Sequence, residues 1–287
     1  MPDNIWPLMF FTVLAPAAAG LVGGLAVISA GKQVAVRLAF LQLRLPAVSV
    51  ALLLMAVAML FSFFHLGSPL KAVYALSALR TSWLSREILM VSVFGLLLLA
   101  WYILLRTRSL SERASSVMLW LCLAAGLLMV WSMARIYMLP AVPPWNSVYT
   151  PVLFYSGGVM SGFSLFFLLE VPGHEGEAGR FGQLPYSRVM VLMILSAFLI
   201  RSIFSLFQQP VAPEVAFPPA GVHWLVRAVH YLLFIAGIGL LLKRTFLPVN
   251  LSPKTWRYLV VIAFLSILAG ELLGRFIFFA GYYRLGV

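Results

Sequence analysis

The sequence predicts an all-α integral membrane protein, a bundle of eight transmembrane helices with both termini on the outer side. Three observations carry this. Of the 287 residues, 63% are hydrophobic and only 10% charged. The apolar residues fall into eight runs of 18 or more, each enough for a helix to cross about 30 Å of hydrocarbon at about 1.5 Å per residue. The basic residues are distributed unevenly between alternate connections, which fixes an orientation.

The runs are residues 5–30, 45–66, 88–105, 114–137, 152–169, 189–207, 222–242 and 258–279. Residues 1–6 carry Asp3 and no Lys or Arg, which argues against a cleaved signal peptide despite Ala17, Ala18 and Ala19 in the first run. The longest polar stretches, 170–188 and 208–221, have loop composition and are too short for a soluble core. Residues 1–287 therefore read as one transmembrane helical domain, with no convincing internal repeat. Gly20 with Gly24, Gly158 with Gly162 and Gly270 with Gly274 are spaced to let helices approach closely, a pattern frequent in membrane helices.

The net charge of +12 invites a nucleic-acid reading. No basic patch stands clear of the apolar runs, however, and the charges read better as topology signals. Connections one, three, five and seven hold twelve Lys and Arg; the opposite side holds four, namely Lys71, Arg80, Arg86 and Arg284. The positive-inside rule places both termini outside. The lone Cys122 lies within a run and excludes an intramolecular disulfide; packing is its simplest role.

This orientation puts the intramembrane charges in the outer half. His65 closes span two there, Glu87 opens span three, Arg135 is near the outer end of span four, and Arg201, Arg227, His230, Glu271 and Arg275 follow in spans six to eight. A transmembrane proton or ion path needs polar groups at successive depths, so the distribution suits a site that opens outward. Each residue also has a plain structural reading. Glu271 and Arg275 are four apart with the acid first, as in a helix-internal ion pair. Arg135 can snorkel to the interface. Arg201, Arg227 and His230 can satisfy helix-end carbonyls or one another, and His223 belongs at the interface.

His65 is followed by Leu66-Gly67-Ser68-Pro69-Leu70-Lys71, a turn that ends the helix, and the connection then runs through Ser77, Arg80, Ser82 and Ser85 to Glu87. A histidine and a carboxylate thus bound one short outer loop. Such a pair can take protons from a bound hydroxyl and release them to water; it can equally be a satisfied polar turn.

The sequence resembles the membrane anchor subunit of bacterial dimethyl sulfoxide reductase. The matching segments are 6–13 (Trp-Pro-Leu-Met-Phe-Phe-Thr-Val), 65–72 (His-Leu-Gly-Ser-Pro-Leu-Lys-Ala), 84–88 (Leu-Ser-Arg-Glu-Ile), 130–137 with Pro143 and Trp145, and 269–275 (Ala-Gly-Glu-Leu-Leu-Gly-Arg). The resemblance implies a multi-pass protein of the bacterial inner membrane. It would hold an iron-sulfur electron-transfer subunit and a molybdopterin catalytic subunit on the outer face, oxidise menaquinol as its bound substrate in anaerobic respiration, and leave reduction of the terminal acceptor to its partners. His65 and Glu87 match the proposed quinol-site positions and become the catalytic candidates. Ser68, Arg135, Glu271 and Arg275 are candidates for quinol binding or site support, Arg135 and Arg275 by stabilising a semiquinone or anchoring the partner. No metal and no haem is expected in this subunit, because no two histidines match in depth. The alternatives are a transporter and a non-redox membrane assembly protein. The terminal acceptor, an S-oxide, an N-oxide or selenate, is not legible here.

Overall fold

A computed structural model describes residues 5–65, 76–170, 185–207, 220–247 and 252–280. Among these, eight α-helices are long and apolar enough to cross a membrane. They are α1 (Trp6–Ser29), α2 (Val34–His65), α3 (Trp83–Arg106), α4 (Glu112–Tyr137), α5 (Tyr149–Leu169), α6 (Pro185–Ser205), α7 (Ala220–Phe246) and α8 (Pro253–Ala280).

Each helix matches one predicted run, and most extend past it. Hydropathy misses residues that are helical but polar. α2 starts eleven residues before the run at 45, because Arg37, Gln42 and Arg44 lower hydropathy without breaking the helix. Arg37 is used there: its guanidinium pairs with Glu112, at the first turn of α4. α3 starts at Trp83 because the Ser82 side chain accepts from the Ser85 backbone N–H, and Ser111 caps α4 through the Ala114 N–H in the same way.

α1 and α5 are the most enclosed helices, with 78% and 67% of their apolar stretches buried, against 28 to 50% for the others. α1 packs along α2, α5 and α4, while α3 completes a group of four by contacting α2 and α4. α5 to α8 form a second group, in which α7 and α8 pack most extensively. The two groups join where α1 crosses α5. There a Cβ on Gly20 would fall on the Gly158 carbonyl oxygen, and one on Gly162 would fall on the Gly20 backbone. Only glycine permits backbones this close. Leu53, Leu96, Leu128, Leu199, Leu232 and Leu265 are exposed on the flanks, as lipid-facing positions must be.

At the end of the bundle where α5 finishes and α6 begins, a buried clamp joins three helices. Arg244 Nη2 donates to Glu170 Oε2 at 3.0 Å, and Ser187 Oγ approaches Glu170 Oε1 at 3.5 Å. The Arg244 guanidinium also lies 5.1 Å from the Phe167 ring centroid. Burial pushes the Glu170 carboxyl above the usual carboxylate range, opposed by Arg244, Tyr186 and Ser187.

Candidate functional site

The opposite end of the bundle, where α1 begins and α2 finishes, holds the candidate site residues. His65 is the last residue of α2; its side chain and all of Ser68 lie outside the described residues. A 3₁₀ turn over Leu76–Ala78 precedes Ser82, whose N–H donates to the Ala78 carbonyl at 2.9 Å. Arg86 fastens that turn to α3 by donating to the carbonyls of Leu79 at 2.9 Å and Arg80 at 2.7 Å, with its guanidinium 4.2 Å from the Trp83 ring centroid. Ser85 and Glu87, expected within and at the end of a polar loop, are instead buried in the opening turns of α3. Among the described residues, no cation is within ion-pair distance of Glu87, which is only 7% exposed.

Arg135 is half-buried and does not simply reach for the interface. It lies between two tryptophans, 5.0 Å from the Trp83 ring centroid and 6.0 Å from that of Trp131, with Nη1 3.6 Å from Met138 Sδ. These contacts tie α4 to the start of α3 through cation–π attraction. Two residues on, Tyr137 is enclosed by aromatic rings: stacked on Phe154 at 5.5 Å, and edge-on to Trp145, Phe278 and Phe279 at 5.4 to 5.7 Å. Trp145 Nε1 donates to the Phe278 carbonyl at 2.8 Å, so the connection from α4 to α5 is fastened to α8.

The third set of charges corrects the sequence expectation. Glu271 does not pair with Arg275; Arg201 of α6 donates to Glu271 Oε1 at 2.6 Å, with both side chains enclosed. Arg275, fully buried, has no hydrogen-bond partner for Nε, Nη1 or Nη2 among the described residues, and its guanidinium lies 3.8 Å from the Phe154 ring centroid. The room for these groups comes from glycine. A Cβ on Gly157 would come within 2.7 Å of Glu271 Oε2 and 3.5 Å of Arg275 Nη2. His230 of α7 is also held here, with Nδ1 2.8 Å from the Gly270 carbonyl oxygen and its ring 4.7 Å from that of Phe234. Two arginines thus face one acid. Local spacing favoured Arg275 as the partner, but α6 delivers a competing cation that no spacing rule can see.

The structure therefore brings Glu87, Arg135, Glu271 and Arg275 to one end of the bundle and adds Tyr137, Arg201 and His230. Sequence reasoning missed Tyr137, which nothing in its segment marked apart from its neighbours. Among the described residues, no group of three His, Cys, Asp or Glu is arranged to hold a metal. Chemically, the end offers a buried carboxyl without a cationic partner among the described residues, a phenol, and a guanidinium without a hydrogen-bond partner among them.

Membrane-length helices enclosing ionisable groups toward one end define a multi-pass helical membrane subunit. The family model described as "DMSO reductase anchor subunit (DmsC)" matches residues 3–281, and the protein belongs to this family. It is 29% identical to the C subunit of the anaerobic dimethyl sulfoxide reductase of Escherichia coli (strain K12), over 98% of its own length and 96% of that relative. It is 28% identical to the anaerobic dimethyl sulfoxide reductase subunit YnfH of the same organism, again over 98% and 96% of the two sequences. The C subunit of the Haemophilus influenzae enzyme is 26% identical, over 82% of this protein and 86% of the relative. The protein is a multi-pass component of the bacterial inner membrane and an anchor of a reductase complex of this type.

Proposed function

We propose that this subunit oxidises menaquinol on the outer side of the membrane and passes two electrons to an iron-sulfur subunit. That partner supplies a molybdopterin subunit that reduces an S-oxide or N-oxide. The single observation that carries the reading is Glu87: an enclosed carboxyl with no cationic partner among the described residues, on the helix that follows the connection from His65.

Oxidation of a quinol to a quinone releases two electrons and two protons. The electrons leave to the partner, and the protons need bases where water can receive them. Neutral His65 accepts a hydrogen bond from one hydroxyl and takes its proton, while Glu87 accepts the other, and both release to the outer water. Ser68, three residues after His65 in sequence, supplies a hydroxyl for orientation. Arg135 and Arg275 supply positive charge that favours an electron-rich ring. The outward orientation of both termini follows from the twelve basic residues assigned to the other side.

The test uses the assembled complex. His65→Ala and Glu87→Ala should each abolish acceptor reduction driven by a menaquinol analogue, while a reduced artificial dye still drives it through the partner subunits. Wild-type quinol activity in either variant would refute the assignment.

A further inference from the structure

A crevice of about 380 Å³ lies between α1, α4 and α5. It is bounded by residues 16–27 of α1, 120–130 of α4 and 155–163 of α5, so it occupies the middle depth of the bundle. Its walls are apolar. The one side-chain hydroxyl on them, that of Tyr155, is donated to the Leu127 carbonyl at 2.8 Å. Trp120 and Leu127 on its wall are exposed, as lipid-facing positions are, and the glycine contact between α1 and α5 contributes backbone to its lining.

What lies above it identifies the occupant. Val130, on the wall, and Tyr137 are seven residues apart and share a face of α4, about 10 Å apart along the axis. On α5, Phe154 stands one turn above Gly158 of the wall, and its ring stacks on Tyr137 at 5.5 Å. The Phe154 ring lies in turn 3.8 Å from the Arg275 guanidinium. The crevice thus lies below the aromatic cluster of the polar end, on the same faces of α4 and α5. A molecule with its head at that end and a long apolar tail follows this line.

We propose that the crevice holds the polyprenyl tail of the quinol, a reading that rests on the quinol-oxidising function above. Gly23 is the position at which to test it. A Cβ there meets only side-chain atoms, Phe163 at 3.4 Å and Leu123 at 3.9 Å, both on the crevice wall, so a larger side chain enters the crevice without striking backbone.

In the complete complex, KM is measured for a long-tailed menaquinol and for a tail-less naphthoquinol. Gly23→Leu should raise the ratio of the two KM values about tenfold, the effect of displacing roughly two buried methylenes. Gly23→Ala, which only reaches contact distance, should leave the ratio near its wild-type value. If Gly23→Leu fails to accumulate, Val159→Phe fills the crevice from α5 and should raise the ratio similarly. An unchanged ratio in a well-assembled filling variant would overturn the proposal. So would a phospholipid that is retained by the purified wild-type complex and lost from that variant without a change in the ratio, since the crevice would then belong to the bilayer. Failure of the quinol reading itself would look different: the His65 and Glu87 variants would oxidise both quinols as the wild type does, whatever the ratio at Gly23.

Discussion

Arg201 on α6 and Glu271 on α8, 70 residues apart in sequence, meet at 2.6 Å in the enclosed interior of the second helix group. The pair fastens two helices that have few other polar contacts, and Arg275 stands beside it as a second cation, unpaired among the described residues.

Removing Glu271 leaves Arg201 and Arg275 enclosed with no acid beside them among the described residues, and a buried charge left alone costs about 3 to 5 kcal/mol, whereas removing Arg201 leaves Glu271 facing Arg275. Glu271→Gln should therefore lower the amount of assembled complex more than Arg201→Gln does. Quantitative immunoblotting of membranes reads this directly. Arg201→Gln accumulating as poorly as Glu271→Gln would mean that Arg275 does not balance the acid.

The glycine crossing predicts a contrast between positions. Gly20→Ala puts a methyl on the Gly158 carbonyl and should destabilise by about 1 to 3 kcal/mol, the range for overpacking. Gly95→Ala has no atom within 4 Å of the new Cβ, and should stabilise α3 by up to about 1 kcal/mol. Thermal unfolding in detergent would show the two shifts with opposite sign.

Glu170 predicts a pH effect. Its carboxyl is held above the usual range by burial, so the folded protein binds more protons than the unfolded one between the ordinary carboxylate value and the raised one. Stability from this group is present at low pH and is lost as pH rises through the raised value. Glu170→Gln carries no titrating proton, and its melting temperature should fall less than that of the wild type between about pH 5 and about pH 8. Parallel melting profiles would contradict this.

A further prediction concerns energy conservation. Among the described residues, Glu87, His230 and Glu271 lie in the half of the bundle where α3 begins, while Glu112 and Glu170 lie at the opposite end. If quinol protons and electrons leave on the same outer side, no net charge crosses the membrane. Reconstituted vesicles carrying a voltage-sensitive dye should then register no potential during quinol oxidation. A signal that a potassium ionophore collapses would show charge movement.

Most of the fold was legible because lipid imposes a length on every apolar run. Helix ends were not, since Arg37 and Arg44 are polar residues inside α2, and hydropathy cannot distinguish them from loop residues. The same limit put Ser85 in the connection and Glu87 at the first position of the span, when the Ser82 cap starts the helix at Trp83. The site was legible as a list of expensive residues at one depth, but not as a set of partners. Glu271 had a cation at the favoured local spacing, and only the tertiary fold, which brings Arg201 of α6 to it, reveals that Arg201 takes it. Tyr137 looked like any interfacial aromatic until the rings around it were in place.

Because α1 and α5 meet through glycine main chain, the distance between the two helix groups is set by peptide geometry and not by side-chain size. Lipid-facing positions can then vary widely without altering how the groups stand to one another. The crossing serves as a fixed gauge: the two groups keep their separation while the outer surface of the bundle drifts to suit membranes of different composition.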